Sequence, residues 1–292
     1  MKRLFLWAGI LSLALVAGGC RRGAALPQEI LDGTILPVRF SLAVNPFQTK
    51  ATDTSLEDGD VLGIFALDPI GARNVRATVS GTALIPEVPV RWVYDQKAST
   101  TFLAYAPYDA SVTGTSLDFT VKADQSSYSG YAASDLLAAS ATAAPRTQVS
   151  LNLRHQLSKL VLNVTCEDAA EQVASVTLGE LVLNASVDIA AKTVTPGSDK
   201  GKIAAGRAVE ANGGTGFAAI VVPQTVRISL SVTTVSGRKV EFVLDEVASL
   251  ASGFAYKADI VVPASTGPST GEAIGFSISV QPWSDGGSLN YK

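Results

Sequence analysis

Histidine occurs once in this chain, at position 155, and cysteine twice, at 20 and 166. A single imidazole excludes a histidine-rich metal site, and any Ser–His–Asp triad would have to use His155. No Gly-x-Ser-x-Gly elbow accompanies it, so His155 is expected at a strand entrance, its ring hydrogen-bonded near a domain join. Basic residues are not in excess: 23 Lys and Arg stand against 26 Asp and Glu, a net charge of −3. With no basic run, nucleic acid and anionic lipid surfaces are poor partners. Long apolar runs are missing as well, and none after Val16 could cross a bilayer. The densest carboxylate group, Glu57-Asp58-Gly59-Asp60, lacks the alternate spacing of a calcium loop and reads as a solvated turn. Gly213, Gly214 and Gly216 are not followed by Gly-Lys-Ser/Thr, which leaves a hairpin connection rather than a phosphate loop. The reading is of a protein with no catalytic residues, no metal and no cofactor.

The N-terminus is informative. Lys2 and Arg3 precede an apolar stretch, Leu4 to Val16, and the small residues Ala17, Gly18 and Gly19 lead into Cys20. Residues 1–19 thus read as a lipoprotein signal peptide, with Cys20 left as the acylated (palmitate-bearing) N-terminus. Ordinary secretion with an incidental cysteine is the alternative. Residues 20–34, with Pro27 and Gly33, form a tether. If Cys20 carries lipid, Cys166 has no disulfide partner and is expected as a small buried hydrophobe on the strand Leu160 to Cys166.

After the tether nearly everything alternates with period two. Val38, Phe40, Leu42 and Val44 share one strand face. Further runs are Val61 to Leu67, Trp92 to Tyr94, Thr101 to Tyr105, Leu117 to Val121 and Val149 to Leu153. The second half continues with Leu157 to Thr165, Val173 to Leu183, Ser186 to Val194, Gly216 to Val222, Arg227 to Val235, Lys239 to Leu244, Phe254 to Val262 and Ala273 to Val280. Gly237 supplies a tight turn. Ser134 to Ala139 offers at most a helical turn, and the Ala/Thr/Pro-rich stretch Ser140 to Arg146 is the expected domain join. The fold class is therefore all-β: two tandem β-sandwich domains, 35–146 and 147–292, each with an aliphatic core. Tyr105, Tyr108, Tyr128 and Tyr131 cluster in the first half, and Tyr128 with Tyr131 could present rings as a ligand surface.

Several segments in order resemble the fimbrillin family of Bacteroidales, the subunits and accessory proteins of type V pili. They are Gly59-Asp60-Val61-Leu62-Gly63-Ile64-Phe65-Ala66, Phe102-Leu103-Ala104-Tyr105-Ala106-Pro107-Tyr108, Asp124-Gln125-Ser126 and Ser134-Asp135-Leu136-Leu137. His155-Gln156-Leu157-Ser158-Lys159-Leu160, Val222-Pro223-Gln224-Thr225 and Val280-Gln281-Pro282-Trp283 complete the set. The resemblance implies two transthyretin-like (Greek-key) sandwiches without enzymatic activity. It also implies export as a lipoprotein to the outer membrane, then removal of the first strand by a trypsin-like protease. The vacated groove would accept a strand from another fimbrial subunit. Here the exchanged strand would carry Val38, Phe40, Leu42 and Val44, and cleavage would fall between Lys50 and Ala51, where many members have Arg-Ala. The expected partners are other fimbrial subunits and the outer membrane through lipid at Cys20, with adhesion to host protein or glycan. The alternative is a non-polymerising surface lipoprotein that binds glycan or a host ligand.

Overall fold

The computed structural model describes residues 35–42, 56–209, 215–243, 247–264, 270–271 and 278–283. Of these, the residues in regular structure are almost all in strands. The largest sheet has eight strands, in the order β8 (Val149–Leu151), β1 (Phe40–Leu42), β4 (Ala83–Pro86), β3 (Ala72–Ser80), β2 (Val61–Ala66), β5 (Thr100–Ala106), β7 (Leu137–Ala143) and β9 (Arg154–His155). A five-stranded sheet follows the order β15 (Gly206–Val209), β16 (Thr215–Val221), β10 (Ser158–Cys166), β21 (Phe254–Val262) and β23 (Ile278–Pro282). A second runs β14 (Lys200–Ala204), β11 (Val173–Val182), β18 (Ser229–Thr234), β19 (Lys239–Val243) and β22 (Thr270–Gly271). Two small sheets complete the fold. One joins β13 (Thr193–Pro196), β12 (Asn184–Asp188) and β6 (Ser116–Thr120); the other pairs β17 (Thr225–Val226) with β20 (Ala248–Ser249).

Two apolar cores explain this order. One is enclosed by the eight-stranded sheet and takes Phe40, Leu62, Ile64, Leu84, Trp92, Phe102, Ala104, Val149 and Leu151. The other lies between the five-stranded sheets, filled by Leu160, Leu162, Val176, Leu178, Leu230 and Phe242. Strands β2, β5 and β7 serve both. Leu62, Ile64, Phe102, Ala104, Leu137 and Ala139 point into the first core. Their neighbours Phe65, Leu103, Tyr105 and Ala138 point into the second. Strands buried on both faces read as continuous apolar runs, which is how Val61 to Ala66 and Phe102 to Ala106 appear in the sequence.

Several expectations are corrected. Ser134 to Ala139 is not a helical turn: Leu137–Ala143 is β7, whose small side chains fit because β5 supplies the bulk opposite, with Tyr105 facing Ala138 and Leu103 facing Ser140. The one helix among the described residues is α1 (Tyr128–Ala132), capped by Ser127, whose Oγ accepts from the Gly130 N–H at 3.3 Å. Gly130 is required there, because a Cβ would collide with the Asp124 carbonyl. Trp92 to Tyr94 is not a strand: Trp92 is buried edge-on against Phe102, while Tyr94 is exposed. Ser186 to Val194 is not one run but the hairpin β12–β13, turned at Ala190–Lys192 with Lys192 at φ 58°. Strands β3 and β4, missing from the sequence reading, keep one face wet; only Ala77, Val79 and Leu84 turn inward. Gly237 does make its turn, at φ 88°.

Polar staples tie the first half of the chain to the second. Strand β6 pairs antiparallel with β12. Downstream, Gln125 is fully buried, and its Oε1 accepts from the Ile220 N–H at 2.8 Å while its Nε2 donates to the Ile220 carbonyl at 2.8 Å. The ladder of β15 on β16 ends at Ala218, so the glutamine amide stands in for a strand beside Ile220. Gln224 does the same for Val182 at the end of β11, accepting from its N–H at 2.9 Å and donating to its carbonyl at 3.1 Å.

Candidate functional site

The first strand sits in a slot. Phe40 pairs antiparallel with Leu84 of β4 and parallel with Val149 of β8, so β1 is the middle strand of three. Segment 35–38 extends the seat: the Val38 N–H donates to the Val90 carbonyl at 2.8 Å and the Trp92 N–H to the Leu36 carbonyl at 3.0 Å. The sequence dictates which face goes down. Val38 and Phe40 are buried, Phe40 packing edge-on against Phe102 at 5.5 Å, and Leu42 is half-buried on the same core. Arg39 points to solvent. Burying Val38 and Phe40 contributes on the order of 1.5–3 kcal/mol each. Val44, Lys50, Ala51 and Cys20 lie outside the described residues.

The two tyrosines expected together at a surface are separated by burial. Tyr131 is 1 % exposed and belongs to the second core, which rules it out as a surface ring. Helical spacing puts the two residues near one face, so the separation comes from packing: the Tyr131 ring is taken up by the second core and the Tyr128 ring is left at the surface. Tyr128 is 46 % exposed and lies on the wall of a groove of about 450 Å³, with Tyr108 also on that wall.

His155 sits on the two-residue strand β9, at the end of the large sheet. Its Nδ1 lies 2.8 Å from the Asp135 carboxylate, and both side chains are buried. The indole of Trp283 stacks flat on the imidazole, centroids 3.8 Å apart and planes 3° from parallel. The Lys159 ammonium stands 5.9 Å from the same indole. Nearby, Ser158 Oγ donates to the Ala251 carbonyl at 2.8 Å, and the backbone N–H of Trp283 donates to the Gly253 carbonyl at 2.8 Å. This cluster fastens the end of β23 to β9 and β10. Sequence reading placed His155 at a strand entrance but missed the stacking indole, 128 positions away, which only the register of β23 on β21 brings close.

Cys166, at the end of β10, is half-buried. Burial pushes its thiol up from the ordinary range, and the Glu171 charge adds to that. Among the described residues, no group of three His, Cys, Asp or Glu side chains is placed to hold a metal ion. The functional candidates that remain are the seat of β1 and the tyrosine groove.

A family model described as fimbrillin-like matches residues 49–283. The chain belongs to the fimbrillin-like family. No curated protein matches it. Among solved structures it is similar to a protein of Bacteroides uniformis assigned provisionally to cell adhesion, at 17 % identity and a TM-score of 0.66. That likeness covers 86 % of this chain and 98 % of the other. A Bacteroides ovatus protein with the same assignment gives 18 % identity and a TM-score of 0.63 over the same shares. A third, from Bacteroides eggerthii, gives 13 % and 0.53, over 86 % of this chain and 97 % of the other. At these identities the structural likeness shows the fold, and the family model carries the membership. Membership of this family points to a fimbrial or adhesion-related structural protein, and motif residues such as Gln125, Gln224 and Ser158 hold its sheets together.

Proposed function

We propose that this fimbrillin-like protein is a subunit or accessory component of a cell-surface fimbria, a type V pilus, supporting adhesion. It is exported through its lipidated Cys20 to the outer membrane and assembles by protease-triggered strand exchange. Family membership supports the fimbrial or adhesion-related role and a position at the cell surface. The observation that carries the assembly route is the seat of β1. A strand held between β4 and β8, with its apolar face on the core, leaves a groove flanked by two unsatisfied edges when it is removed. That groove would expose the core floor at Leu84, Phe102 and Val149, and an incoming strand with alternating apolar residues would restore both burial and hydrogen bonds. Within this reading the segments 35–146 and 147–292 remain two tandem sandwiches, although β8 and β9 return to the first sheet.

Limited digestion with a trypsin-like protease tests the route. The expected product begins at Ala51 and forms higher oligomers on size-exclusion chromatography, whereas Lys50→Ala stays intact and monomeric. Oligomerisation of Lys50→Ala to the same extent under protease would overturn it.

A further inference from the structure

We infer that the groove bearing Tyr108 and Tyr128 is a binding site for a short neutral oligosaccharide, independent of strand exchange. Five separate elements build its walls. The start of β2 brings Asp60, β3 brings Arg76, the turn after β5 brings Tyr108, α1 brings Tyr128 and the segment before β7 brings Asp135. Its volume, about 450 Å³, lies within the range of sites that hold small organic ligands.

The chemistry of the walls narrows the ligand. Tyr128, 46 % exposed, offers part of its ring surface to the groove. Among the described residues the Tyr108 hydroxyl makes no hydrogen bond, and the turn carrying it is anchored by its own N–H, which donates to the Val61 carbonyl at 3.2 Å. Arg76 meets only Glu87, at 3.8 Å and with both side chains half-exposed or more, so its guanidinium donors are available. Asp60 uses one oxygen to accept from the Glu57 N–H and keeps the other for a hydroxyl. Rings to stack on sugar C–H faces, with the exposed Asp60 carboxylate as acceptor and the Arg76 guanidinium as donor for hydroxyls, form a saccharide-binding set; Asp135 is buried against His155 and serves the wall only as structure. One exposed carboxylate against one guanidinium leaves no positive excess, which disfavours sulfated or phosphorylated polymers. An open groove with charged and phenolic groups on its wall likewise suits no greasy ligand, which would need an enclosed apolar cavity.

The site also explains why two tyrosines so close in sequence part ways. Tyr131 inserts into the core and fixes α1, and that anchorage holds Tyr128 on the groove wall.

Titration calorimetry of the full chain with cellohexaose, maltohexaose and mannohexaose, with heparin as the acidic probe, tests the assignment. The expected result is binding of at least one neutral hexasaccharide that weakens tenfold or more in Tyr128→Ala and in Tyr108→Ala, and is retained in Tyr94→Ala, an exposed ring outside the groove. Arg76→Gln, a surface change that leaves the fold intact, is expected to weaken binding at least threefold. Circular dichroism of each variant separates lost binding from lost fold. Binding of heparin alone, binding of no hexasaccharide, or binding indifferent to Tyr128, Tyr108 and Arg76 would each overturn the proposal. None of these outcomes bears on Lys50 cleavage or on oligomer formation.

Discussion

Replacing Gln125 by leucine keeps the volume of a fully buried side chain and deletes its amide, which makes it the cleanest probe of how the two halves are joined. Three hydrogen bonds disappear: from the Ile220 N–H to Oε1, and from Nε2 to the Ile220 and Lys122 carbonyls, the last at 3.1 Å. Water can reach the half-buried Lys122 carbonyl. It cannot reach Ile220, whose backbone lies beyond the end of β15 and under the buried Gln125. Each buried polar group stripped of its partner costs about 1–3 kcal/mol. Two such groups put the loss at about 2–6 kcal/mol, with roughly 3 kcal/mol as the working figure. For a chain of this size that lowers Tm by about 6–12 °C. Gln125→Glu sharpens the test. Its acceptor oxygen is retained, but an ionised carboxylate would face the Ile220 carbonyl, so folding raises the carboxyl pKa. The folded state then holds the proton more tightly than the unfolded one. Stability of this variant is fully present below the unfolded carboxyl pKa and is lost as pH rises through the folded value. Urea midpoints at pH 4 and pH 8 should therefore move closer to wild type on the acid side for Gln125→Glu, and stay uniformly low for Gln125→Leu. A leucine variant within about 0.5 kcal/mol of wild type, the scatter of ordinary surface changes, would refute the stand-in strand.

Four further outcomes follow from the same geometry. Gly130→Ala should lower Tm, reversing the gain of up to about 1 kcal/mol that alanine brings to a free helix, because the new Cβ meets the Asp124 carbonyl; a rise in Tm would contradict the packing. Tyr105→Phe removes a hydroxyl that bonds Asn74 Oδ1 and the Asp109 carbonyl, each at 2.9 Å, and should cost about 1 kcal/mol while speeding amide exchange at Asp109 to Val112. Burial, followed by the Asp109 charge, raises that phenol above its ordinary 10.0, so wild-type stability falls as pH climbs past that value, and the gap to Tyr105→Phe should close in alkali. Trp283→Ala should cost about 3 kcal/mol and shift the imidazole proton signals of the lone histidine, read by NMR, since the stacked indole is its main ring-current source. The Cys166 thiol, pushed up by burial, should alkylate slowly at pH 8 in native protein and rapidly in guanidinium, as mass mapping of its peptide would show.

Legibility of the fold depended on what each strand buries. Strands apolar on both faces or cleanly alternating, such as β2, β5, β10 and β21, could be read directly, because burial leaves its period in the side chains. Strand β7 could not. Its Leu-Ala-Ala-Ser-Ala-Thr-Ala has neither β-branched bulk nor contrast, and it is a strand only because Tyr105 and Leu103 opposite it fill the space. Strands β3 and β4 failed for the opposite reason, since exposed residues such as Arg73 and Arg76 hide the few that turn inward, Ala77 and Val79 on β3 and Leu84 on β4. Tyr131 was misplaced because pairing by sequence distance ignores where a five-residue helix turns its ring.

The resemblance residues have a different lesson, and it bears on function. Gln125 completes β16, Gln224 completes β11, Ser158 holds the Ala251 carbonyl, and Asp135, His155 and Trp283 form one stack. The two glutamines satisfy backbone groups beyond strand ends, and the others fasten neighbouring strands to one another. Motif residues that sit at such junctions identify the frame. The side chains proposed to choose a partner come from both sets: Asp60 and Tyr108 lie within resemblance segments, whereas Arg76 and Tyr128 on the same groove wall do not. The prediction is that Tyr128→Ala, which loses saccharide, still oligomerises after cleavage at Lys50, while Phe40→Ala, which weakens the seat of β1 by about 3 kcal/mol, releases the strand faster and leaves saccharide affinity unchanged. Co-variation of the two readouts, one failing whenever the other fails, would show that groove and seat are a single site.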